Sequence, residues 1–563
     1  MQHSSPASRT GGQILVDQLV LHGVDHIFCV PGESYLAVLD ALHDAPIELT
    51  VCRQEGGAAM MAEAHGKLSG RPGICFVTRG PGATNASAGI HIAQQDSTPM
   101  ILFVGQVERG SRGRDAFQEV DYPATFGSLA KWAVEIDNPA RIPEIVLRAF
   151  HVATSGRPGP VVIALPEDML TEHASTLDPR PFVPVETNVG TSAMINLQAL
   201  LASSQRPIAI LGGSGWDAQA VTDFVSFSEA FDLPVAVSFR RQMLFPSNHR
   251  NFIGDMGIGP NPKLVERVAN ADLVLLVGGR LSEASSQSYS LLRIPTPIQR
   301  LVHVHADTNE LGRMYQPTLA INASPRAFAA AAAALGEAGK TQRAKENFTA
   351  RAEYEAWSSL EGITIPGSLQ MAKVMTFLQD NLPADAILCN GAGNYASWVH
   401  RFFRFTRFGT QLAPTCGSMG YGVPAAVAAK RVNPERTVVA FAGDGCFLMH
   451  GQEFATAVQH KLPIIVVILD NSMYGTIRMH QEKIYPGRVS ATTLQSPDFC
   501  AYARAFGGHG EHVETAEEFA AAWSRAVQSN KPAILHCILD PEAITPTATL
   551  DSLRQQALGA PRQ

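Results

Sequence analysis

Two apolar runs typical of buried β-strands flank a helix-period segment between residues 438 and 475. The first run, residues 438–442, ends just before Asp444, and the second, residues 464–469, ends just before Asn471. A strand–helix–strand pattern of this kind predicts two parallel strands whose carboxyl ends open onto the same edge of a sheet. We therefore expect the side chains of Asp444 and Asn471 to lie next to each other at that edge.

The residues at this predicted edge suit a metal ion and a phosphate. A carboxylate and an amide oxygen are hard ligands that Mg²⁺ accepts, usually together with phosphate oxygens of a bound ligand. Gly445 and the amides after it open a predicted helix, where backbone N–H groups can receive a phosphate. Gly443-Asp444-Gly445 alone also fits an ordinary turn, and Asn471 alone fits a strand-end cap. Their positions after successive predicted strands favour a binding site.

Length, charge and cysteine spacing limit the function classes. A chain of 563 residues is too long for one core, so several domains are expected. A net charge of −7 without a basic run argues against a nucleic-acid partner. The eight cysteines form no CxxC pair, the first dozen residues lack an apolar signal core, and no apolar run approaches a membrane span. We expect a soluble, cytoplasmic protein with no membrane partner.

Helix-period segments alternate with short apolar runs along most of the chain, which predicts parallel α/β sheets. We predict three doubly wound parallel-sheet domains, at residues 1–172, 191–340 and 362–545. Residues 171–190 are expected to form a linker. Residues 541–563 are weakly patterned and expected to become ordered only in an assembly. The tract AFAAAAAALGEAGKTQRAKEN predicts a helix followed by a polar connector.

Two further motifs accompany the predicted edge. Glu55 opens an Ala-rich predicted helix in RQEGGAAMMAE, and Met419 lies in the stretch TCGSMGYG. Together with Gly-Asp-Gly followed by Asn471, these stretches resemble the cofactor motifs of thiamine diphosphate enzymes. The resemblance implies that the first domain binds the pyrimidine of thiamine diphosphate and that the third binds its diphosphate and Mg²⁺.

The stretches RGPGATN, DAFQEVDY and SGRPGPVVIALPEDM extend this resemblance, and they are similar to the large subunits of acetolactate synthases. The likeness implies decarboxylation of a 2-oxo acid, with pyruvate as the first candidate, and transfer of the two-carbon unit to a second carbonyl. A 2-oxo acid decarboxylase or C–C lyase on the same scaffold is the alternative. In this family Glu55 and Asp444 would meet across a subunit interface, so the resemblance implies a homodimer or homotetramer with active sites at that interface.

The resemblance also implies roles for individual residues. Glu55 would be catalytic, through a hydrogen bond to N1′ of the aminopyrimidine, although Gln54 replaces the His that usually precedes it in the synthases. Asn394 and Tyr395 stand where the synthases usually have Gln and His. The residues implied to bind the cofactor are Glu55, Gly393, Asn394, Tyr395, Gly417, Met419, Gly443, Asp444, Gly445, Cys446, Asn471, Met473, Tyr474 and Gly475, and those implied to bind the metal are Asp444, Asn471 and Met473.

Four residues match substrate positions of the synthases. Phe117, Gln118 and Lys131 correspond to the substrate channel, although Lys131 also fits a solvated surface lysine. His480 stands where the synthases have a tryptophan that favours 2-oxobutyrate as acceptor. We therefore expect little preference for 2-oxobutyrate over pyruvate.

The central domain departs furthest from the synthases, which often bind FAD there. Matching residues are Arg157, Gly212, Gly213, Arg280 and Glu310. The segment of residues 254–259 and the pair Asn322-Ala323 differ from the usual sequence, so we expect FAD binding to be weak or absent. The turn GGSG also lacks the GxGxxG spacing of a nicotinamide site, which disfavours a nicotinamide oxidoreductase.

Overall fold

A computed structural model describes residues 7–336 and 343–559 of the chain. The chain divides into two compact units, Met1–Glu186 and Thr187–Gln563. The first unit contains one six-stranded parallel sheet, and the second contains two. These three sheets with their flanking helices confirm the predicted α/β doubly wound class.

The sheet of the first unit is built from six strands in the order β3-β2-β4-β5-β7-β6. The strands of this unit are β1 (Ser8–Thr10), β2 (His26–Cys29), β3 (Glu48–Val51), β4 (Gly73–Val77), β5 (Met100–Gln106), β6 (Trp132–Glu135), β7 (Pro160–Pro166) and β8 (His173–Ser175). Its helices are α1 (Gly11–Leu21), α2 (Leu36–His43), α3 (Glu55–Ser69), α4 (Pro81–Asp96), α5 (Tyr122–Phe126), α6 (Ile142–Thr154) and α7 (Glu167–Thr171).

The linker predicted at residues 171–190 is wrong in its first part. Strand β8 pairs antiparallel with β1, with Ser8 opposite Ser175. Arg9 on β1 forms salt bridges with Asp17 and Asp178, at 2.6 and 2.9 Å. The prediction missed this pair because each strand has only three residues, too few for a hydrophobic period. Residues 176–190 contain no helix or strand, as expected for a linker.

The central sheet opens the second unit, with the strand order β11-β10-β9-β12-β13-β14. Its strands are β9 (Pro207–Leu211), β10 (Val235–Ser238), β11 (Phe252–Met256), β12 (Leu273–Val277), β13 (Arg300–His305) and β14 (Leu319–Asn322). Its helices are α8 (Thr191–Ala202), α9 (Ala218–Ala230), α10 (Pro262–Ala269), α11 (Pro325–Ala333) and α12 (Ala344–Trp357).

Two features of this region differ from the sequence-based prediction. Both edge strands, β11 and β14, were missed because the apolar runs that mark the inner strands are shorter or interrupted there. The connector predicted after α11 is also wrong in its last part, since Ala344 begins helix α12. Tyr354 of α12 packs into the central core, which explains why this polar stretch is helical. The middle of the predicted connector, residues 337–342, lies outside the described residues.

The third sheet has the order β16-β15-β17-β18-β20-β19. Its strands are β15 (Ile387–Asn390), β16 (Gln411–Leu412), β17 (Val438–Gly443), β18 (Ile465–Asp470), β19 (His509–Val513) and β20 (Ala533–Ile538). Its helices are α13 (Met371–Asn381), α14 (Ala396–Phe402), α15 (Gly422–Val432), α16 (Asp444–His450), α17 (Glu453–Gln459), α18 (Gly475–Ile484), α19 (Phe499–Ala505), α20 (Ala516–Ser529) and α21 (Leu550–Gly559).

Strands β17 and β18 are parallel neighbours, as predicted, with Gly443 opposite Leu469. Their apolar side chains are almost completely buried, which is typical of inner strands of a parallel sheet covered on both faces. Their carboxyl ends therefore open onto the same edge of the sheet, where Asp444 and Asn471 follow.

The chain after β20 folds back on the third domain as far as Gly559 within a single copy, which corrects the expectation that it needs an assembly. Helix α21 packs against α18, and Leu550 and Leu553 join a small apolar cluster with Ile544. Arg554 donates two hydrogen bonds to the fully buried carboxylate of Glu482 on α18, at 2.9 and 2.7 Å. Within residues 7–336 and 343–559, no helix is both long and apolar enough to span a membrane.

Candidate active site

One cavity lies at the carboxyl edge of the third sheet, beyond the ends of β15, β17 and β18. The cofactor-binding residues predicted in this part of the chain come from four separate stretches, and every one of them lines this cavity. They are Gly393, Asn394, Tyr395, Gly417, Met419, Gly443, Asp444, Gly445, Cys446, Asn471, Met473, Tyr474 and Gly475. The parallel strand order brings the stretches together because each follows a strand end on the same edge.

Asp444 is the charged centre of this cavity. It is only 2% exposed, and burial together with the negative charge of Asp470 raises its pKa to about 7. Its Oδ2 accepts a hydrogen bond from Ser496 Oγ at 3.4 Å. A cation beside this carboxylate would favour the ionised form and offset both effects. The Asp444 carboxylate and the Asn471 amide therefore fit a hard divalent cation such as Mg²⁺.

Two glycine turns present bare backbone to the cavity. A Cβ on Gly445 would lie 2.7 Å from the Tyr474 ring, so no larger residue fits without displacing that ring. Gly393 has a φ of +152°, and a Cβ there would lie 2.6 Å from the Tyr395 ring. Backbone free of side chains can approach a phosphate closely, so these turns fit the diphosphate end of the cofactor.

Tyr395 and Cys446 stabilise the turns rather than pointing into solvent. The Tyr395 hydroxyl accepts a hydrogen bond from the Gly391 amide at 3.1 Å and lies 3.1 Å from Cys446 Sγ. Cys446 Sγ also accepts a hydrogen bond from the Gly420 amide at 3.3 Å. The pair thus links the turn after β15 to the stretch that contains Met419 and to the start of α16. Tyr395, which stands where the synthases usually have His, therefore stabilises these turns through its hydroxyl group.

Asn394 has a different partner. Its Oδ1 accepts a hydrogen bond from Thr476 Oγ1 at 2.9 Å, and its Nδ2 lies 3.6 Å from Met479 Sδ. Asn394 therefore joins the turn after β15 to helix α18. The amide is occupied by contacts within the chain, which leaves the backbone of this turn as the part that faces the cavity most freely.

Several residues of the cavity wall were missed in the sequence. They come from the flanking helices and from the chain just after β20: Trp398, Thr476, Ile477, Leu539, Ala543 and Ile544. These residues belong to none of the cofactor motifs. For Leu539, Ala543 and Ile544, the apolar character of a weakly patterned stretch was the only available signal.

Glu55 lies in the first unit, as the first residue of α3. Its Oε2 accepts a hydrogen bond from Asn85 Nδ2 at 3.0 Å. Gln54 is the N-cap of the same helix, and its Oε1 accepts a hydrogen bond from the Gly57 amide at 3.1 Å. Gln54, which stands where the synthases usually have His, therefore has a clear capping role here.

The predicted substrate residues have different surroundings. Phe117 is 73% exposed, and Gln118 next to it has a φ of +64°. Lys131 Nζ donates hydrogen bonds to the carbonyl oxygens of Val152 and Ser155, at 2.6 and 2.7 Å. His480 is exposed on α18 and is not one of the described residues that line the cavity.

Two side chains of the central domain donate hydrogen bonds to the glycine turn that follows β9. Trp216, 6% exposed, donates from Nε1 to the Gly212 carbonyl at 2.9 Å. Arg241 Nε donates to the Gly213 carbonyl at 2.9 Å. Both glycine carbonyls at the proposed flavin position are thus already hydrogen-bonded within the domain.

Three sequence models of one family match the chain in consecutive order. Residues 9–125 match "Thiamine pyrophosphate enzyme, N-terminal TPP binding domain", residues 195–332 match its central domain and residues 391–537 its C-terminal TPP binding domain. The matches cover more than half of the chain. This chain belongs to the thiamine pyrophosphate enzyme family. Thiamine pyrophosphate is thiamine diphosphate, so the family assignment agrees with the cavity described above.

Three relatives of this chain are named as acetolactate synthase large subunits. The chain is 31% identical to the acetolactate synthase isozyme 2 large subunit of Escherichia coli K12, over 94% of this chain and 95% of the relative. It is 32% identical to the acetolactate synthase large subunit of Parasynechococcus marenigrum, over 94% and 88%. For the corresponding subunit of Corynebacterium glutamicum the identity is 30%, over 96% and 88%. The chain is a thiamine diphosphate-dependent enzyme of the transferase type that resembles these large subunits.

Proposed function

We propose that this enzyme requires Mg²⁺, decarboxylates a 2-oxo acid, with pyruvate as the first candidate, and transfers the resulting two-carbon unit to a second carbonyl compound. The observation that carries the proposal is the cavity at the third sheet, because its lining combines a buried carboxylate, an amide and two bare glycine turns. Bound thiamine diphosphate would supply the carbon nucleophile and electron sink that this decarboxylation needs. The names of the relatives support the same reaction class.

In this proposal the chain's own residues bind and orient the cofactor. The side-chain oxygens of Asp444 and Asn471 and the backbone carbonyl oxygen of Met473 hold the metal, and the turns at Gly393 and Gly445 receive the diphosphate. The position of the buried Asp444 carboxyl group in the cavity lining supports a cation here, because an ionised carboxylate buried there needs a compensating positive charge. Gly417 and Met419 hold the pyrimidine. The apolar wall that includes Ile544 excludes water from the reacting region.

Glu55 is proposed to hold a proton at N1′ of the pyrimidine. Its hydrogen bond from Asn85 fixes the carboxylate while leaving Oε1 for the cofactor. Glu55 and Asp444 belong to different units of the chain. Assembly as a homodimer or homotetramer, with the active sites at the subunit interface, is therefore part of the proposal.

Transfer to a second carbonyl has one competing outcome, a plain decarboxylase or C–C lyase. The departures at Asn394, Tyr395 and His480 favour this alternative, because all three differ from the residues usual in the synthases. Substrate roles for Phe117, Gln118 and Lys131 stay predictions, as does a location in the cytoplasm. For Lys131, the two carbonyl contacts favour a structural role over contact with substrate.

The proposal includes weak or absent FAD binding in the central domain. The altered segment at residues 254–259 and the pair Asn322-Ala323 support it, because both differ from the sequence usual in the synthases that bind FAD. Absorbance of the purified enzyme tests this directly. Stoichiometric FAD released on denaturation would contradict it.

Product analysis tests the reaction. The purified enzyme is incubated with Mg²⁺, thiamine diphosphate and pyruvate, with and without 2-oxobutyrate, and the products are identified by mass spectrometry. We expect acetohydroxy acids together with carbon dioxide. Free aldehyde as the sole organic product would support the alternative, and no cofactor-dependent carbon dioxide would contradict both.

A further inference from the structure

A second group of potential metal ligands lies on the third sheet, outside the lining of the cavity that contains Asp444. It consists of Cys500 on α19, His512 on β19 and His536 on β20. One potential ligand atom from each residue lies within 4.8 Å of the other two. His512 and His536 are directly opposite each other in the β19–β20 register, and their rings are 5.5 Å apart at an interplanar angle of 87°.

Carboxylates hold both imidazole rings of this group. His536 Nε2 lies 2.9 Å from Asp470 Oδ2, inside the protein. His512 Nε2 lies 3.0 Å from Glu514 Oε1. Each ring therefore has one nitrogen engaged by a carboxylate and keeps Nδ1 for another partner. Histidines that bind metals in proteins usually have this arrangement, in which the outer carboxylate fixes the ring and raises its basicity.

We propose that Cys500, His512 and His536 form a binding site for a divalent transition metal, with Zn²⁺ as the expected ion. One thiolate and two imidazoles are the ligands that zinc prefers over Mg²⁺, which takes oxygen ligands. Three protein ligands leave the fourth tetrahedral position for water, as in zinc sites that are open to solvent. None of its three ligands is among the described residues that line the cofactor cavity.

The site has an entry path and a favourable charge. Cys500, His512 and His536 line a second, open cavity together with Asp470, Asp498 and Arg504. Arg504 is the one cationic side chain of that lining, and it lies 4.0 Å from Asp498 and donates to the Gly510 carbonyl at 3.4 Å. Its charge is thus countered by Asp498. Asp470 and Glu514 supply further negative charge behind the two rings, which favours a cation.

Asp470 also connects the two metal regions. Its Oδ2 contacts His536, its Oδ1 accepts a hydrogen bond from the Ser472 amide at 2.8 Å, and its charge raises the pKa of Asp444. The carboxylate behind the proposed zinc ligand is therefore the one that acts on the proposed magnesium ligand.

Metal titration of the full-length enzyme tests the site. The protein is freed of transition metals, saturated with Mg²⁺ and thiamine diphosphate so that the first site is occupied, and titrated with Co²⁺ and then with Zn²⁺. We expect one Co²⁺ per chain with a near-ultraviolet thiolate-to-cobalt band, and displacement of Co²⁺ by Zn²⁺. Cys500→Ser should abolish the band. Glu514→Gln should weaken affinity by about 10 to 100-fold, because it removes an outer carboxylate.

His512→Asn and His509→Asn form a matched pair for this titration. Both histidines lie on β19 and both contact a glutamate, but only His512 belongs to the proposed site. The His512 side chain is 53% exposed, so its replacement should leave the fold intact. We expect His512→Asn to lose the band and His509→Asn to keep it.

A second cluster in the described residues, Asp25, His26 and His65, contains no sulfur and serves as the competing location. The proposal would be overturned if the enzyme takes up metal without a thiolate band and if this uptake is lost in His26→Asn but kept in His512→Asn. It would also be overturned by the absence of stoichiometric uptake by the unmodified enzyme, or by an unchanged band in Cys500→Ser.

Discussion

The carboxyl edges of the central and third sheets start from the same architecture but differ in what their turns carry. In the central sheet, the Gly212 and Gly213 carbonyls accept hydrogen bonds from Trp216 and Arg241. In the third sheet, the turns after β17 and β18 carry Asp444 and Asn471 and open into a cavity. A parallel α/β sheet supplies an edge at which ligands can bind, and the turn residues decide which chemical groups that edge offers.

The two sheets also differ in how a buried carboxylate is used. Desolvation raises the pKa of Asp255, just inside the end of β11, to about 7, the value that burial and Asp470 give to Asp444. Asp255 accepts a hydrogen bond from Gln242 Nε2 at 3.2 Å, whereas Asp444 faces the cavity. A raised pKa therefore does not by itself identify a functional carboxylate, and the surrounding space distinguishes the two.

The largest expected effect comes from Asp444→Ala. We expect loss of activity and of Mg²⁺–thiamine diphosphate binding by calorimetry, because the variant removes the proposed carboxylate ligand of the metal. Asn471→Ala should weaken binding less, since it removes a neutral ligand. Asp255→Asn is the matched control from the central sheet and should bind normally. Normal cofactor binding by Asp444→Ala would show that Asp444 is not the metal ligand and that the two carboxylates, Asp444 and Asp255, do not differ in this function.

Glu55→Gln tests whether the open edge needs a partner group from the first unit. We expect cofactor binding to persist while hydrogen–deuterium exchange at C2 of the bound cofactor slows by about 10² to 10⁴-fold, the usual range for acid–base assistance. Glu167→Gln is a suitable control, because Glu167 is likewise the first residue of a helix, α7. Exchange at the unmodified rate in Glu55→Gln would make Glu55 a helix-end residue only.

Trp216→Ala tests how much this buried side chain stabilises the carboxyl edge of the central sheet. Removing a buried tryptophan typically costs about 3 to 5 kcal/mol of unfolding free energy, measured here by denaturant titration. Trp216→Phe retains most of the buried area and should lose less. Activity with saturating thiamine diphosphate should stay close to that of the unmodified enzyme. A loss of unfolding free energy below about 1 kcal/mol in Trp216→Ala would show that the central domain does not depend on this side chain.

Glu482 fixes the helix that supports the cavity wall, and its contribution should depend on pH. Hydrogen bonds from Arg554, together with Arg478 and the Gly487 amide, lower the pKa of Glu482 to about 2 from 4.5. A lowered folded-state pKa adds stability that is fully present above pH 4.5 and is lost as pH falls toward 2. Glu482→Gln should therefore be less stable than the unmodified enzyme at neutral pH, and the difference should shrink over that window. A pH-independent difference would contradict this assignment.

His480→Trp has the smallest expected effect. If His480 faces the acceptor, an indole wall would reward the extra methyl of 2-oxobutyrate by roughly 1 to 3 kcal/mol at most. A competition assay with both oxo acids gives the product ratio, and we expect it to shift toward the 2-oxobutyrate product. Lys483→Gln, an exposed position on the same helix that is not in the cavity lining, is a control that should leave the ratio unchanged. An unchanged ratio in His480→Trp would agree with the exposed position of His480 away from the cavity.

Sequence reasoning found the inner strands and the turns that follow them. Runs such as β17 and β18 are recognisable because strands buried on both faces are continuously apolar. The residues around Asp444, Gly393 and Asn471 could be predicted because each lies within a few positions of such a strand end, where backbone geometry is local.

The rest of the fold and of the site depends on packing between distant segments. Strand β14 is only partly buried and carries no clear period, so the sequence did not indicate it. The wall residue Ile544 reaches the cavity because α21 docks on α18, and that docking depends on a long-range contact between Glu482 and Arg554. The surroundings of Lys131 were likewise not predictable, since its partners are carbonyls at the end of a helix some twenty residues later.

The short antiparallel pair of β1 and β8 holds two distant segments of the first unit side by side. Residues 8–10 and 173–175 are hydrogen-bonded side by side, so the chain enters and leaves this unit at the same place. A unit whose ends adjoin can be cut at a surface turn and rejoined through its ends with little change to its interior. We therefore expect the unit to tolerate circular permutation. A unit of this kind could also be transferred as a whole between related enzymes.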